Sequence, residues 1–132
     1  MDVEKLKGDK NNPIKDVLNK FKYSFAGMLH CFKHETSFIF ETIAMGLIII
    51  CGIAFNISFM EWIFSVLSML LIMEVEFINT AIEATVDMVT KEYHPLAKVA
   101  KDTASAACFV ADMVAAGMWL VVFAPKIIAL FG

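Results

Sequence analysis

Three stretches of mostly apolar residues, near 37–56, 60–86 and 103–124, decide what this 132-residue chain can fold into. Crossing a hydrocarbon core of about 30 Å takes roughly 20 residues of α-helix. Inside that core each backbone N–H and C=O must be paired within its own segment. Three transmembrane helices follow. Only Glu41 interrupts the first stretch, near its start, and Asp112 stands in the middle of the third. The second is charge-free from Trp62 to Met73, then continues helically while gaining acids, so its last turns are expected to stand clear of the bilayer. Asn56-Ile57-Ser58 reads as a tight turn between the first two spans.

Composition excludes the other classes. The chain is 59 % hydrophobic and 19 % charged, with a mean hydropathy of +0.70 over 14.7 kDa. A soluble domain is about 45–50 % apolar and about 25 % charged, and one this small cannot bury the excess. These figures disfavour a soluble globular enzyme and rule out a disordered chain, a collagen and a nucleic-acid-binding protein. A net charge of −3 gives no reason to expect nucleic acid. The three cysteines (Cys31, Cys51 and Cys108) make no even disulfide framework and read as small hydrophobes.

Residues 1–12 are polar and lysine-rich, with an Asn11-Asn12-Pro13 turn signal, and are expected to be flexible. No apolar run follows those charges, so they do not read as a secretory signal. From 14 to 34 the apolar residues Ile14, Val17, Leu18, Phe21, Phe25, Met28, Leu29 and Phe32 recur at helical spacing. Lys15, Asp16, Asn19, Lys20 and Lys22 take much of the other face, as in an amphipathic surface helix. The basic residues are all lysines. Ten of the eleven precede the first span or lie between the second and third, and Lys126 alone lies in the tail. The positive-inside rule then places the N-terminus in the cytoplasm and the C-terminus outside, with Trp62 and Trp119 toward the outer interface. The architecture expected is an all-α integral membrane domain, one N-terminal surface helix plus three spans.

Acids inside membrane helices are costly, so their positions carry information. Glu76, Asn79, Glu83 and Asp87 are spaced 3, 4 and 4, an arc of roughly 80° on one helix face, with Glu74 almost opposite. Glu76 falls about 24 Å along the helix from Met60, just inside the cytoplasmic boundary. Lys98, Lys101, Asp102 and Ser105 share a face of the third helix, and Glu35 opens the first. Glu35, Glu76, Glu83, Lys101 and Asp102 are expected at nearly one depth. Such carboxylates, with a lysine and an asparagine, suit a hard cation and a phosphate chain. A carboxylate left over would serve as general base. No glycine-rich phosphate loop, HExxH or CxxC is present.

Taken in order, Glu76-Phe-Ile-Asn79-Thr-Ala-Ile-Glu83-Ala-Thr-Val-Asp87, then Glu92-Tyr93-His94, then Ala100-Lys101-Asp102-Thr-Ala-Ser105, resemble the prokaryotic diacylglycerol kinase family from about Ile14 to Phe123. The resemblance implies a small three-span enzyme that passes the γ-phosphoryl of Mg-ATP to diacylglycerol or undecaprenol. It implies Glu76 as the base for the lipid hydroxyl, Glu35 and Glu83 as magnesium ligands, and Lys101 and Asp102 at the nucleotide. Tyr23, Glu35, Glu83, Glu92, Tyr93 and His94 would also meet ATP, and Ser105, with Glu76, would meet the lipid. Asn79 and Asp87 would organise the stripe. A homotrimer in the bacterial inner (cytoplasmic) membrane is implied as well.

Phe38-Ile39-Phe40-Glu41 and the Glu-Tyr-His loop lean toward diacylglycerol, with undecaprenol second. Two departures stand out. Ile39 occupies a place where the family has a basic residue, and the early basic residue of the surface helix is matched most closely by Lys15. Asp112 is not part of the family pattern. An interhelical hydrogen bond to Ser65 or Ser68, facing the bundle interior, is its expected role. From another class, the chain could be a small proton-coupled transporter with Glu76 and Asp112 as carriers, or a non-catalytic membrane scaffold. The acids, however, cluster toward the cytoplasmic face, whereas transporter sites lie at mid-membrane.

Overall fold

A computed structural model describes residues 12–132 as four helices, α1 (Pro13–His34), α2 (Thr36–Ala54), α3 (Phe59–Val89) and α4 (Pro95–Ile128). The segment 1–11, most of the stretch expected to be flexible, lies outside the described residues. Helix α1 is a unit by itself. Asn12 starts it: its side-chain Oδ1 accepts from Lys15 N at 3.1 Å, and Pro13 holds the first helical position, where no N–H is needed. Ile14, Leu18, Phe21 and Phe25 are exposed along it, and Asp16 pairs with Lys20 at 2.7 Å.

Helices α2, α3 and α4 form the second unit, and each is long and apolar enough to cross a membrane. The α2–α3 turn is tight. Asn56 takes a left-handed φ of 47° and Ile57 N donates back to Gly52 O at 3.1 Å. Ser58 then caps α3 reciprocally, its N–H donating to Glu61 Oε2 at 2.6 Å and its Oγ accepting from Glu61 N. Glu61 also pairs with Lys126 at 3.0 Å, which ties the start of α3 to the end of α4.

Helix α4 runs antiparallel to α3 along most of its length, and α2 packs on α3 more sparingly. One core cluster joins Met69 and Ile72 of α3 to Ala111 and Ala115 of α4, whose small side chains let the backbones approach. A second gathers Ile57, Val122 and Phe123, with Trp62 and Trp119 against it. Gly52 is required there, since a Cβ at that position would stand 2.5 Å from the Trp62 ring. Elsewhere the apolar side chains of all three helices point outward (Leu47, Ile50, Phe109 and Leu120 among them). Such a surface is suited to hydrocarbon rather than water.

Two expectations change at this stage. Ser68 does not bond Asp112: its Oγ accepts from Trp119 Nε1 at 2.9 Å and donates to Ser65 O at 2.8 Å. Asp112 sits two turns from Trp119, level with the Glu76 region of α3, and is exposed on the single chain rather than turned inward. The antiparallel register, which no single-helix periodicity contains, explains both.

Candidate functional site

The polar stripe on α3 forms as its spacing predicts. Glu76 is 9 % exposed while Glu74, two residues earlier, is exposed, so one acid faces the helical interior and the other the surroundings. One turn on, Asn79 Nδ2 donates to Glu83 Oε1 at 3.4 Å. Asn79 Oδ1 is buried and meets no donor. Glu83 and that unpartnered amide oxygen together make an oxygen donor set of the kind a hard cation takes.

At the far end of the stripe, α3 and α4 are joined by Lys101 Nζ and Asp87 Oδ1 at 2.5 Å. The loop between them is ordered by its own short bonds. Glu92 N donates to Thr90 Oγ1 at 3.2 Å, and His94 caps α4 by accepting at Nδ1 from Leu96 N at 3.2 Å. A cavity of about 380 Å³ opens here, lined among others by Asp87, Glu92, Tyr93, His94, Lys98 and Lys101. The structure thus brings together Asp87, Lys101 and the Glu-Tyr-His loop. All three loop side chains are exposed.

The remaining candidates lie apart. Asp102 is paired with Lys98, four residues before it on α4, and Ser105 is exposed one turn further on. Glu35 stands at the N-cap of α2 with extended backbone (φ −104°, ψ 116°) and its side chain makes no cap bond. Among the described residues no three His, Cys, Asp or Glu side chains converge on one point, at Glu35 or elsewhere. A magnesium ion is commonly held by one or two carboxylates and completed by phosphates and water, so a two-carboxylate set fits its chemistry. Tyr23 belongs to α1 and is half-exposed there.

The single depth expected for Glu35, Glu76, Glu83, Lys101 and Asp102 becomes two. Glu76 lies about 16 Å along α3 from Asp87, and Asp112 lies about 16 Å along α4 from Lys101. An axial stripe eleven residues long cannot occupy one level. At the Glu76 level a second group assembles that spacing did not single out. Glu41 (α2), Glu76 (α3) and Cys108 and Asp112 (α4) lie near enough to act on one another electrostatically, and Glu41 Oε2 is buried with no hydrogen-bond partner among the described residues. Glu41 had one legible signal, a charge in an otherwise apolar span, which is a mark of function.

The model of the family described as prokaryotic diacylglycerol kinase matches residues 22–123. The chain belongs to that family. It is 41 % identical over 108 residues to the diacylglycerol kinase of Pseudomonas aeruginosa, covering 80 % of this chain and 86 % of that one. It is 34 % identical over 119 residues to the undecaprenol kinase of Bacillus subtilis, covering 90 % of this chain and 97 % of the relative. The Escherichia coli diacylglycerol kinase is 34 % identical over 105 residues, covering 80 % and 86 %. Both kinase names thus occur among relatives that this chain matches over most of their length.

Proposed function

We propose that this chain transfers the γ-phosphoryl group of ATP to the hydroxyl of a membrane lipid, diacylglycerol first, making phosphatidic acid. The observation that carries the reading is the burial of Glu76 on the same α3 face as Asn79, Glu83 and Asp87, a stripe that ends at the loop cavity. Family membership supports a kinase over the proton-coupled transporter and the scaffold.

In this reading Glu76 accepts the hydroxyl proton, the lipid oxygen bonds to the γ-phosphorus, and the bond from that phosphorus to ADP breaks. Lys101 offsets phosphate charge, Asp102 helps place the nucleotide, and Glu92, Tyr93, His94 and Tyr23 border it. Ser105 meets the lipid, while Asn79 and Asp87 hold the stripe in order. Glu35 and Glu83 would hold a magnesium ion, which when bound would supply neutralisation of phosphate charge. The rest of the work is positioning within a medium where bulk water is scarce. The lysine distribution supports an N-terminus in the cytoplasm, and the reading includes a homotrimer in the bacterial inner membrane.

Undecaprenol is the second reading, favoured by the match to the Bacillus subtilis undecaprenol kinase across 90 % of this chain. The test is direct. Purified protein, labelled ATP and each lipid in parallel micelles should give labelled phosphatidic acid faster than undecaprenyl phosphate. The reverse order selects the second reading, and no labelled lipid from either rejects both.

A further inference from the structure

The reading above sets Glu92, Tyr93 and His94 beside the nucleotide, yet all three are exposed on the link 90–94 between α3 and α4. A polar link that buries so little is mobile unless something ties it down. Both of its ends are tied. Thr90 N donates to Val86 O at 2.9 Å, closing α3, and the chain leaves that helix with extended backbone (φ −151°, ψ 139°). At the other end His94 Nδ1 accepts from Leu96 N at 3.2 Å, and Lys98 N donates to His94 O at 3.0 Å. The middle is held by one side chain. The Thr90 hydroxyl accepts from Glu92 N at 3.2 Å and donates to Glu92 O at 3.3 Å. Both backbone polar groups of Glu92 therefore end on a single oxygen, which uses its donor and an acceptor site together. Thr90 is half-buried and lines the loop cavity with Asp87, Glu92, His94 and Lys101. Its branched Cβ restricts rotation, so the hydroxyl is already near the place where it is needed.

We propose that Thr90 is a positioning residue for the nucleotide, its hydroxyl fixing the peptide planes on either side of Glu92 and so setting Glu92 and Tyr93 at the cavity edge before ATP arrives. The inference rests on the reading that this loop borders ATP. A loop already ordered gives up little conformational freedom on binding, whereas a loop released from Thr90 must be ordered by the ligand itself, and affinity falls accordingly. Thr90 acts through Glu92 and stands outside the α3 stripe, so its loss falls on ATP binding and not on the transfer step. Neither helical spacing nor the Glu-Tyr-His match singles it out, because its two bonds exist only once the chain has turned out of α3.

The experiment compares Thr90→Val, Thr90→Ala, Thr90→Ser and the double variant Glu92→Ala/Tyr93→Ala in the full chain, reading kcat, the ATP KM and the lipid KM from lipid phosphorylation. Valine keeps the shape of threonine and removes the hydroxyl, while serine keeps the hydroxyl. The expected result is an ATP KM raised about fivefold in Thr90→Val and Thr90→Ala, the scale of one net hydrogen bond. The lipid KM and kcat stay unchanged, as for lost binding that is equal in ground and transition states. Thr90→Ser recovers most of the loss. Thr90→Ala serves as a second hydroxyl-free chain should valine disturb the turn. A wild-type ATP KM in either hydroxyl-free variant, serine no better than valine, or an equal rise in the lipid KM overturns the Thr90 role. The double variant separates that outcome from the reading beneath it. A raised ATP KM there, with Thr90→Val silent, removes Thr90 alone, whereas a wild-type ATP KM there takes the loop out of the nucleotide site and this inference with it.

Discussion

Trp119 Nε1 donates to Ser68 Oγ at 2.9 Å across the α3–α4 interface. The bond fixes which residues of the two antiparallel helices stand opposite one another, and so it sets Asp112 and Cys108 at the Glu76 level. Replacing the indole by Trp119→Phe keeps an aromatic ring but removes the donor. The expected cost is about 1 kcal/mol, the scale of a hydrogen bond between membrane helices. Thermal unfolding in micelles, compared with Ser68→Ala, checks it: the double variant should lose little more than either single one.

Glu76→Gln is expected to lower lipid phosphorylation by about 10²–10⁴-fold, the range of a general base. ATP affinity should hold, because the Lys101–Asp87 end of the stripe lies about 16 Å away. Product formation from labelled ATP and nucleotide binding by equilibrium dialysis separate the two.

For the metal, Glu35→Gln and Glu83→Gln should each move the half-saturating magnesium concentration upward by about tenfold or more, since even outer-shell partners are worth that much. A magnesium titration of activity in both variants reads it. A wild-type curve in either removes that residue from the ligand set.

Gly52→Ala should destabilise the chain, because the new methyl meets the Trp62 ring at 2.5 Å within a packed cluster. Overpacking costs about 1–3 kcal/mol. Relief in the double variant Gly52→Ala/Trp62→Leu, seen as a recovered unfolding midpoint, locates the clash.

Asp112→Asn is expected to leave turnover near wild type, since Asp112 is exposed on the chain and the amide keeps its size and polarity. Asp112→Leu removes an exposed acid from an apolar span, where a charge costs about 2.5–3.5 kcal/mol on insertion scales. It should therefore raise the unfolding midpoint in micelles rather than lower it. Loss of turnover in an intact Asp112→Asn protein would instead place that residue in the reaction centre.

The three spans could be read in advance because their signal is local: a run of apolar residues states its own environment. The α3 stripe was legible for the same reason, since Glu76, Asn79, Glu83 and Asp87 share a face by helical geometry alone. Helix α4 begins eight residues before its apolar run because Pro95 and the His94 cap start it without any help from hydropathy. What stayed hidden depends on how one helix is rotated and shifted against another. Glu41 comes near Glu76, and Ser68 meets Trp119 rather than Asp112, only once α2, α3 and α4 are docked. Charge in an apolar span marks a residue as consequential but does not name its partner.

The bond between Lys101 and Asp87 has a consequence for affinity. Asp87 engages the ammonium with the same charge-assisted contact that a phosphate oxygen would make. In the proposed site Asp87 would therefore act as an internal imitation of the anionic ligand, and a polyphosphate taking Lys101 would first have to outcompete a carboxylate tethered beside it. Under the same reading, that rivalry would loosen the grip on the spent nucleotide as well, so the pair that joins α3 to α4 would favour emptying of the site.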